Sequence, residues 1–395
     1  MSELCSKEEA LETIDHNWYP RPQTELVEVK SALGRVVARD YFSTNTLPVF
    51  RSAQMDGYAV RAADFVKGHP DTASFREGQD YARADMGDDF DDKFDAVILV
   101  EEVNFSQGIM GFSPGLVVKP GLNVRSAGSQ LAEGELLVAK GRTLLPRDLG
   151  FLQMGGHDFV EVFCKPKVAF IPTGSELIAA GLKPQRGQNL ESNSLMVSET
   201  LKALGAEVWC LPIVKDSPEV LEDALDRALA WADLIIINGG SSKGGDDHNA
   251  RILKNKTKFL LQGVAAAPGK PLGLYLSGTV LLVNLPGPMI AAFYGLEWCL
   301  GAIVNKFFKR PTVPRATVKV TLTEALQGPK GLSFLFNLMV TRKNGQYLAS
   351  PLDPRSARTY QGIAANALYM TKIEGENLEA GDEILAQIVR AEDFV

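Results

Sequence analysis

Three glycine-containing turns hold the residues of this chain best suited to chemistry: Pro172-Thr173-Gly174-Ser175-Glu176, the run from Asn238-Gly239-Gly240-Ser241-Ser242 through Lys243 and Gly245 to Asp247, and Leu285-Pro286-Gly287-Pro288. Each follows an apolar run that reads as a strand. Glycine lets backbone N–H groups come close to an anion, hydroxyls such as those of Thr173, Ser175 and Ser242 add donors, and a following helix N-terminus completes a phosphate cradle. One such turn can be nothing more than a tight turn. Three expected at the same sheet edge point to a phosphorylated small ligand. In Pro268-Gly269-Lys270-Pro271, two prolines restrict the backbone around a single ammonium, which suits an anion as well as it suits a plain surface lysine.

Carboxylates complete the set. Glu176, Asp247 and Asp56, the last within Met55-Asp56-Gly57-Tyr58-Ala59, sit in glycine turns where packing does not call for an acid. Such groups hold Mg²⁺ together with water, or activate a water. Taken singly, each also serves as a turn residue bonding its own backbone. His16, His69, His157 and His248 form no ligand spacing; only His248, beside Asp247, stands at one of these turns.

Several function classes lose their footing. No Gly-x-Gly-x-x-Gly follows a strand, and Gly263 to Pro271 lacks both P-loop spacing and a hydroxyl after Lys270. The 48 acidic and 41 basic side chains leave a net charge of -7, which gives no general attraction to nucleic acid or to an anionic membrane. Residues 71 to 95 alone net -6, and acids so closely spaced read as a solvated loop. Cys5, Cys164, Cys210 and Cys299 show no Cys-x-x-Cys pair, so reduced thiols are expected. No basic-then-apolar leader opens the chain and no apolar run nears the ~18 residues that span a bilayer, so the expectation is a cytoplasmic protein.

A length of 395 residues suggests two or three domains. Ser6-Lys7-Glu8-Glu9 has capping-box spacing ahead of the stripe Ala10, Leu11 and Ile14, which predicts an opening helix. From about 25 to 165 the chain looks β-rich, with strands expected at Ala96 to Val100 and Leu136 to Ala139. Beyond Lys167, strands alternate with helices: Val168 to Ile171, the helix Leu195 to Leu204, Val208 to Val214, the helix Val220 to Trp231 behind Ser217-Pro218, and Leu234 to Ile237. That alternation predicts an α/β domain with a mostly parallel sheet, whose ligands bind at the carboxyl ends of its strands. After Pro311 strands return, with a hairpin signal at Asn344-Gly345.

The same residues, in the same order, resemble the molybdopterin molybdenumtransferases of the bacterial MoeA type, which are similar also to the E domain of gephyrin. Met55-Asp56-Gly57-Tyr58-Ala59-Val60, Asn123-Val124-Arg125, Thr173-Gly174-Ser175-Glu176-Leu177, Gly239-Gly240, Pro268-Gly269-Lys270-Pro271 and Leu285-Pro286-Gly287 carry the likeness. It implies a multidomain, elongated homodimer. Its parts are a segmented dimerising region (1–40 and 127–164), an inserted β-rich domain (41–126), an α/β molybdopterin-binding-like domain (165–310) and a β-barrel-like C-terminal domain (311–395). The implied reaction takes adenylylated molybdopterin and molybdate as substrates, uses Mg²⁺ and releases AMP. The protein partners implied by the same likeness are the molybdopterin adenylyltransferase and apo-molybdoenzymes.

By residue-for-residue carry-over, Asp56, Glu176 and Asp247 are the catalytic acids, with Glu176 and Asp247 the metal ligands. Thr173, Gly174, Ser175, Gly239, Gly240, Ser242, Pro268, Gly269, Lys270, Pro286, Gly287 and Ser356 would line the ligand site. The chain departs from the family pattern at Val103, at Gln130 in Gly128-Ser129-Gln130-Leu131, at Lys243 and Gly245, at Ala267, and at Pro288-Met289. These departures carry a second reading, a paralogue that binds the cofactor or a partner protein without catalysing insertion.

Overall fold

The computed structural model describes residues 4–240, 248–352, 362 and 364–394, without the side chains of 248–250. The chain forms two compact units, Met1–Gln23 with Phe163–Val395, and Thr24–Val162.

In the first unit the opening helix α1 spans Lys7–Asn17 and carries the capping box its sequence promises. The Glu9 N–H donates to Ser6 Oγ (3.0 Å) and the Ser6 N–H to Glu9 Oε2 (2.6 Å), so two of the helix's orphan donors are satisfied. The α/β part follows in chain order: β1 (Lys167–Pro172), α2 (Asn193–Ala203), β2 (Glu207–Cys210), α3 (Pro218–Leu229), β3 (Leu234–Asn238), α4 (His248–Lys256), β4 (Lys258–Gln262), β5 (Gly273–Ser277), β6 (Val280–Leu285), α5 (Met289–Gly295) and α6 (Gly301–Phe307). Helix α3 buries Leu221, Ala224, Leu225 and Ala228, the three-and-four spacing of an amphipathic face, against the sheet residues Ala169, Ile235 and Ile237.

The six strands lie in the order β2-β1-β3-β6-β5-β4. Pairings of β1 with β2, β1 with β3, and β3 with β6 are parallel, whereas β6 with β5 and β5 with β4 are antiparallel. The chain runs from β1 out to β2 on one side and then crosses to β3 on the other. That reversal makes the carboxyl ends of β1 and β3 a topological switch point, where such sheets leave a crevice.

Beyond Pro311 five strands close on themselves: β7 (Thr317–Leu322), β8 (Ser333–Lys343), β9 (Gln346–Pro351), β10 (Ala367–Met370) and β11 (Glu383–Ile388). Strand β8 pairs with β9 and β10, β10 with β11, β11 with β7, and β7 with β9, so the circle has no open edge. Asn344 (φ 50°) and Gly345 (φ 81°) make the β8–β9 turn, both in the left-handed region that a two-residue hairpin of this kind needs. Leu338, Val340, Ala349 and Ala386 fill the interior.

Among the described residues the second unit has three cores, around Val37, Val138, Leu152 and Val162, around Ala59, Phe94 and Val97, and around Val60, Phe65 and Ile98. Gly57–Val60 is the central strand between Tyr81–Ala84 and Ala96–Leu99. Acids of the 71–95 stretch mostly serve their own turns and neighbours. Asp80 pairs with Arg61 at 2.9 Å, Asp85 with Arg83 at 2.6 Å, and Asp95 accepts the Ala62 N–H at 2.7 Å.

All four thiols are free, and Cys299, wholly buried, has its pKa pushed up to about 12 by desolvation. Among the described residues no helix is long and apolar enough to cross a membrane.

Candidate active site

The three glycine turns emerge together from the carboxyl ends of β1, β3 and β6. They bound a cleft of about 790 Å³ lined by Thr173, Gly174, Glu176, Asn238, Gly239, Gly240, Gly287, Pro288 and Met289, with Asn189 to Asn193 and Asp216 closing its sides. The approach between turns is close. A Cβ on Gly239 (φ 116°) would stand 2.4 Å from the Thr173 carbonyl oxygen, and one on Gly287 would stand 3.5 Å from the Gly239 Cα. At Gly239 only glycine fits, both for conformation and for space.

Buried amides stitch the turns to one another. Asn193, the first residue of α2, donates from Nδ2 to Asn238 Oδ1 (2.8 Å) and to the Gly287 carbonyl (2.7 Å). Asn238 in turn donates to the carbonyls of Pro286 (2.8 Å) and Leu285 (3.3 Å). Asn284, fully buried in β6, donates to the carbonyls of Ile237 (3.2 Å) and Gly239 (3.0 Å) when its amide is oriented to satisfy both neighbours. Amides so enclosed stay only where their donors and acceptors are met, so each fixes the carbonyls it touches. Asn193 and Asn284 lie outside the residues that motif spacing singles out, and Asn238 enters them only as the first residue of its glycine turn. The available signal was an amide interrupting an apolar run, as Asn284 does between Val283 and Leu285.

Removal of one member gives a checkable outcome. Asn193→Ala leaves Asn238 Oδ1 and the Gly287 carbonyl short of a donor, and a loss of about 2 kcal/mol is expected on urea denaturation. Asn193→Asp, which presents acceptors to acceptors, is expected to lose more. Two variants both within about 0.5 kcal/mol of the parent would show that the network does not hold the turns together.

Three carboxylates face the cleft. Glu176, exposed, lies over Gly174, whose backbone sits at φ 153°; a Cβ there would stand 2.7 Å from Glu176 Oε2. Asp216, which spacing did not single out, accepts the Ser175 N–H at 2.9 Å, while its own N–H donates to Ser175 Oγ at 3.1 Å. Glu191 accepts the Ser194 N–H at 2.9 Å and the Ser194 hydroxyl, at the start of α2. Glu176 and Asp216 thus offer hard oxygen donors at the rim, and a cation such as Mg²⁺ needs few of these because it keeps waters and takes phosphate oxygens. Among the described residues no group of three or more His, Cys, Asp or Glu side chains gathers as a complete metal cage.

The sequence candidates fall into four groups. Thr173, Gly174, Glu176, Gly239, Gly240 and Gly287 line the cleft; Ser175 and Pro286 stand just behind it, through Asp216 and Asn238. Pro268, Gly269 and Lys270 form a separate turn, outside that lining, in which the Val264 N–H donates to the Lys270 carbonyl at 2.9 Å and the Lys270 side chain is exposed. Asp56 lies in the other unit, exposed, accepting the Met86 N–H at 2.7 Å beside Gly57, where a Cβ would stand 2.0 Å from the Ile98 carbonyl oxygen. Ser242, Lys243, Gly245, Asp247 and Ser356 lie outside the described residues, as does the side chain of His248.

Comparison with known proteins decides the lineage. Residues 5–156 match the MoeA N-terminal region (domain I and II), and residues 169–306 match the probable molybdopterin binding domain of molybdenum cofactor biosynthesis. The chain belongs to the molybdopterin molybdenumtransferase family. The enzyme of that name from Haemophilus influenzae is 28% identical over 384 residues, covering 92% of this chain and 93% of the relative. The one from Bacillus subtilis is 25% identical, covering 98% and 94%. A solved molybdopterin biosynthesis MoeA protein from Pyrococcus horikosii superposes with a TM-score of 0.80 at 26% identity, covering 98% of this chain and 99% of that one. In this member of the molybdopterin molybdenumtransferase family, Pro288 and Met289, where the chain departs from the family pattern, stand in the cleft wall.

Proposed function

We propose that this protein inserts molybdenum in cofactor biosynthesis: it takes adenylylated molybdopterin and molybdate, cleaves the phosphoanhydride, releases AMP, and leaves molybdenum on the dithiolene. The observation that carries the reading is the junction of three glycine turns in one cleft rimmed by Glu176, Glu191 and Asp216. The N–H groups of Thr173, Gly174, Ser175 and Gly239 are spent on bonds within the protein, to the carbonyls of Asn238, Val214 and Leu285 and to Asp216, so these positions shape the cleft for a phosphate rather than donate to it. Glu176 and Asp216 would hold Mg²⁺, with Asp247 joining them by family likeness; bound there, the ion supplies neutralising charge to the departing phosphate. Glu176 also suits the orientation of the water that attacks the phosphoanhydride, and the amide lattice holds the turns still while it does so. Lys270 is proposed as the contact for molybdate, Asp56 as a catalytic acid and Ser242 and Ser356 as ligand-site residues, all on family likeness.

The test is AMP release from adenylylated molybdopterin with Mg²⁺ and molybdate, read beside activation of an apo-molybdoenzyme. Both are expected. Ligand binding with neither outcome would instead favour the non-catalytic carrier suggested by Ala267, Gln130 and Pro288.

A homodimer is part of the proposal. In the Thr24–Val162 unit, Leu26 and Phe159 are exposed on strands that pair, and Phe42 and Leu136 are exposed register partners. Exposed apolar residues at paired strand positions call for a cover. Sedimentation is expected to show twice the chain mass, falling to one in Phe42→Glu/Leu136→Glu; a monomeric parent protein would end the idea. The molybdopterin adenylyltransferase and apo-molybdoenzymes are the proposed partners before and after this step.

A further inference from the structure

On the first unit, away from the cleft lining, a groove runs between the end of α1 and the end of α6. Its two depressions share Lys306. One, of about 280 Å³, has an apolar floor of Leu11, Ile14, Ala302 and Ile303 and is flanked by Lys306 and Arg310. The other, of about 430 Å³, is shaped by Trp18, Tyr19 and Pro20 and ringed by Arg21, Lys306 and Lys309. On a chain of net charge -7 this is a local concentration of cations beside aromatic surface.

The groove is held in shape by its own bonds. Trp18 is buried, with its indole N–H donating to the Thr279 carbonyl at 2.9 Å, and this leaves the next residue, Tyr19, 68% exposed. Lys306 ties the two helices together through Asp15 (2.7 Å) and lies 5.8 Å from the Tyr19 ring centre. Arg310 is occupied with Asn305 Oδ1 (2.6 Å) and the Leu204 carbonyl (2.9 Å). Lys306, in the last turn of α6, is adequately explained by the helix dipole and by Asp15. Arg21 and Lys309 lie beyond the helices, both exposed, and among the described residues neither makes an ion pair.

We propose that this groove docks an acidic, apolar peptide segment of a partner protein, with an aliphatic side chain over Leu11 and Ile303, a carboxylate between Arg21 and Lys309, and an aromatic ring against Tyr19. Shape favours a peptide over a compact metabolite, because the surface is open and extends over two linked depressions. Charge favours an acidic one, since the cations not consumed internally are at the rim, where they act on encounter and specificity. The preformed aromatic wall limits the ordering cost on the protein side. This inference does not depend on the reaction assigned to the cleft.

The test uses the full chain and a fluorescein-labelled decapeptide alternating glutamate with leucine and phenylalanine, followed by anisotropy. Saturable, salt-sensitive binding is expected, weakened about tenfold or more by Arg21→Glu/Lys309→Glu and also by Tyr19→Ala, with the melting temperature and AMP release unchanged. A control peptide with lysines for the glutamates is expected not to bind. Equal affinity in the charge-reversed variant overturns the proposal. So does displacement of the peptide by AMP or tripolyphosphate, which would make this a phosphate site, and so does the absence of binding by the parent protein.

Discussion

Glu176→Ala is expected to lower AMP release at least about tenfold while barely changing stability, a separation that marks a group used for chemistry rather than for the fold. Glu176 is exposed at the cleft rim, over a glycine, so its carboxylate holds nothing in the core. Exposed side chains without structural partners usually cost under about 0.5 kcal/mol when truncated. A carboxylate that holds a cation or directs a water contributes several kcal/mol to the transition state, and each ~1.4 kcal/mol is a factor of ten in rate. Glu176→Gln keeps the shape and removes the charge, so its loss should match that of the alanine variant if charge is what matters. Raising Mg²⁺ should recover part of the rate if the deficit is in cation binding. Turnover at the parent rate in both variants would take Glu176 out of the mechanism and leave Asp216, tied to Ser175, as the carboxylate to examine.

Much of this was open to inspection in the sequence, for identifiable reasons. Backbone signals survive translation into structure: the Ser6 capping box, Pro218 at the start of α3, and Asn344-Gly345 each predict their geometry because few residue types serve there. The convergence of the β1 and β3 turns follows from alternation of strand and helix, whereas the β6 turn reaches the same edge through two antiparallel pairings. The amide lattice was not legible, because Asn193, Asn238 and Asn284 lie far apart in sequence and look like ordinary polar residues until the strands align them. Asp216 escaped for a different reason. It precedes Ser217-Pro218, where an acid is unremarkable, and gains meaning only from its reciprocal bonds to Ser175. The strand expected through Val214 stops at Cys210, and Val214 instead makes an isolated parallel bridge to Thr173. Its carbonyl takes the Gly174 N–H at 3.0 Å, so a segment expected to be plain sheet helps shape the site.

Gly239→Ala carries the largest expected effect on the site's architecture. Two penalties coincide there: a backbone at φ 116°, outside the regions a side-chain-bearing residue favours, and a methyl placed 2.4 Å from a backbone oxygen that cannot rotate away. The Thr173 carbonyl belongs to the β1 turn, so relief of the clash has to push that turn from the β3 turn, against the bonds that the Thr173 N–H (2.9 Å) and hydroxyl (3.2 Å) donate to the Asn238 carbonyl. A loss of about 3 kcal/mol or more is expected, with AMP release falling alongside it because the displaced turns are the cleft walls. Gly278 supplies the comparison. It sits at φ 57° in the β5–β6 hairpin of the same unit with nothing within 4 Å of a Cβ, so Gly278→Ala should cost only about 1–2 kcal/mol of left-handed strain and leave turnover intact. Equal destabilisation in the two variants would show that conformation alone is at work at Gly239. A Gly239→Ala protein that melts and turns over like the parent would mean that the three turns are not packed against one another as tightly as this cleft requires.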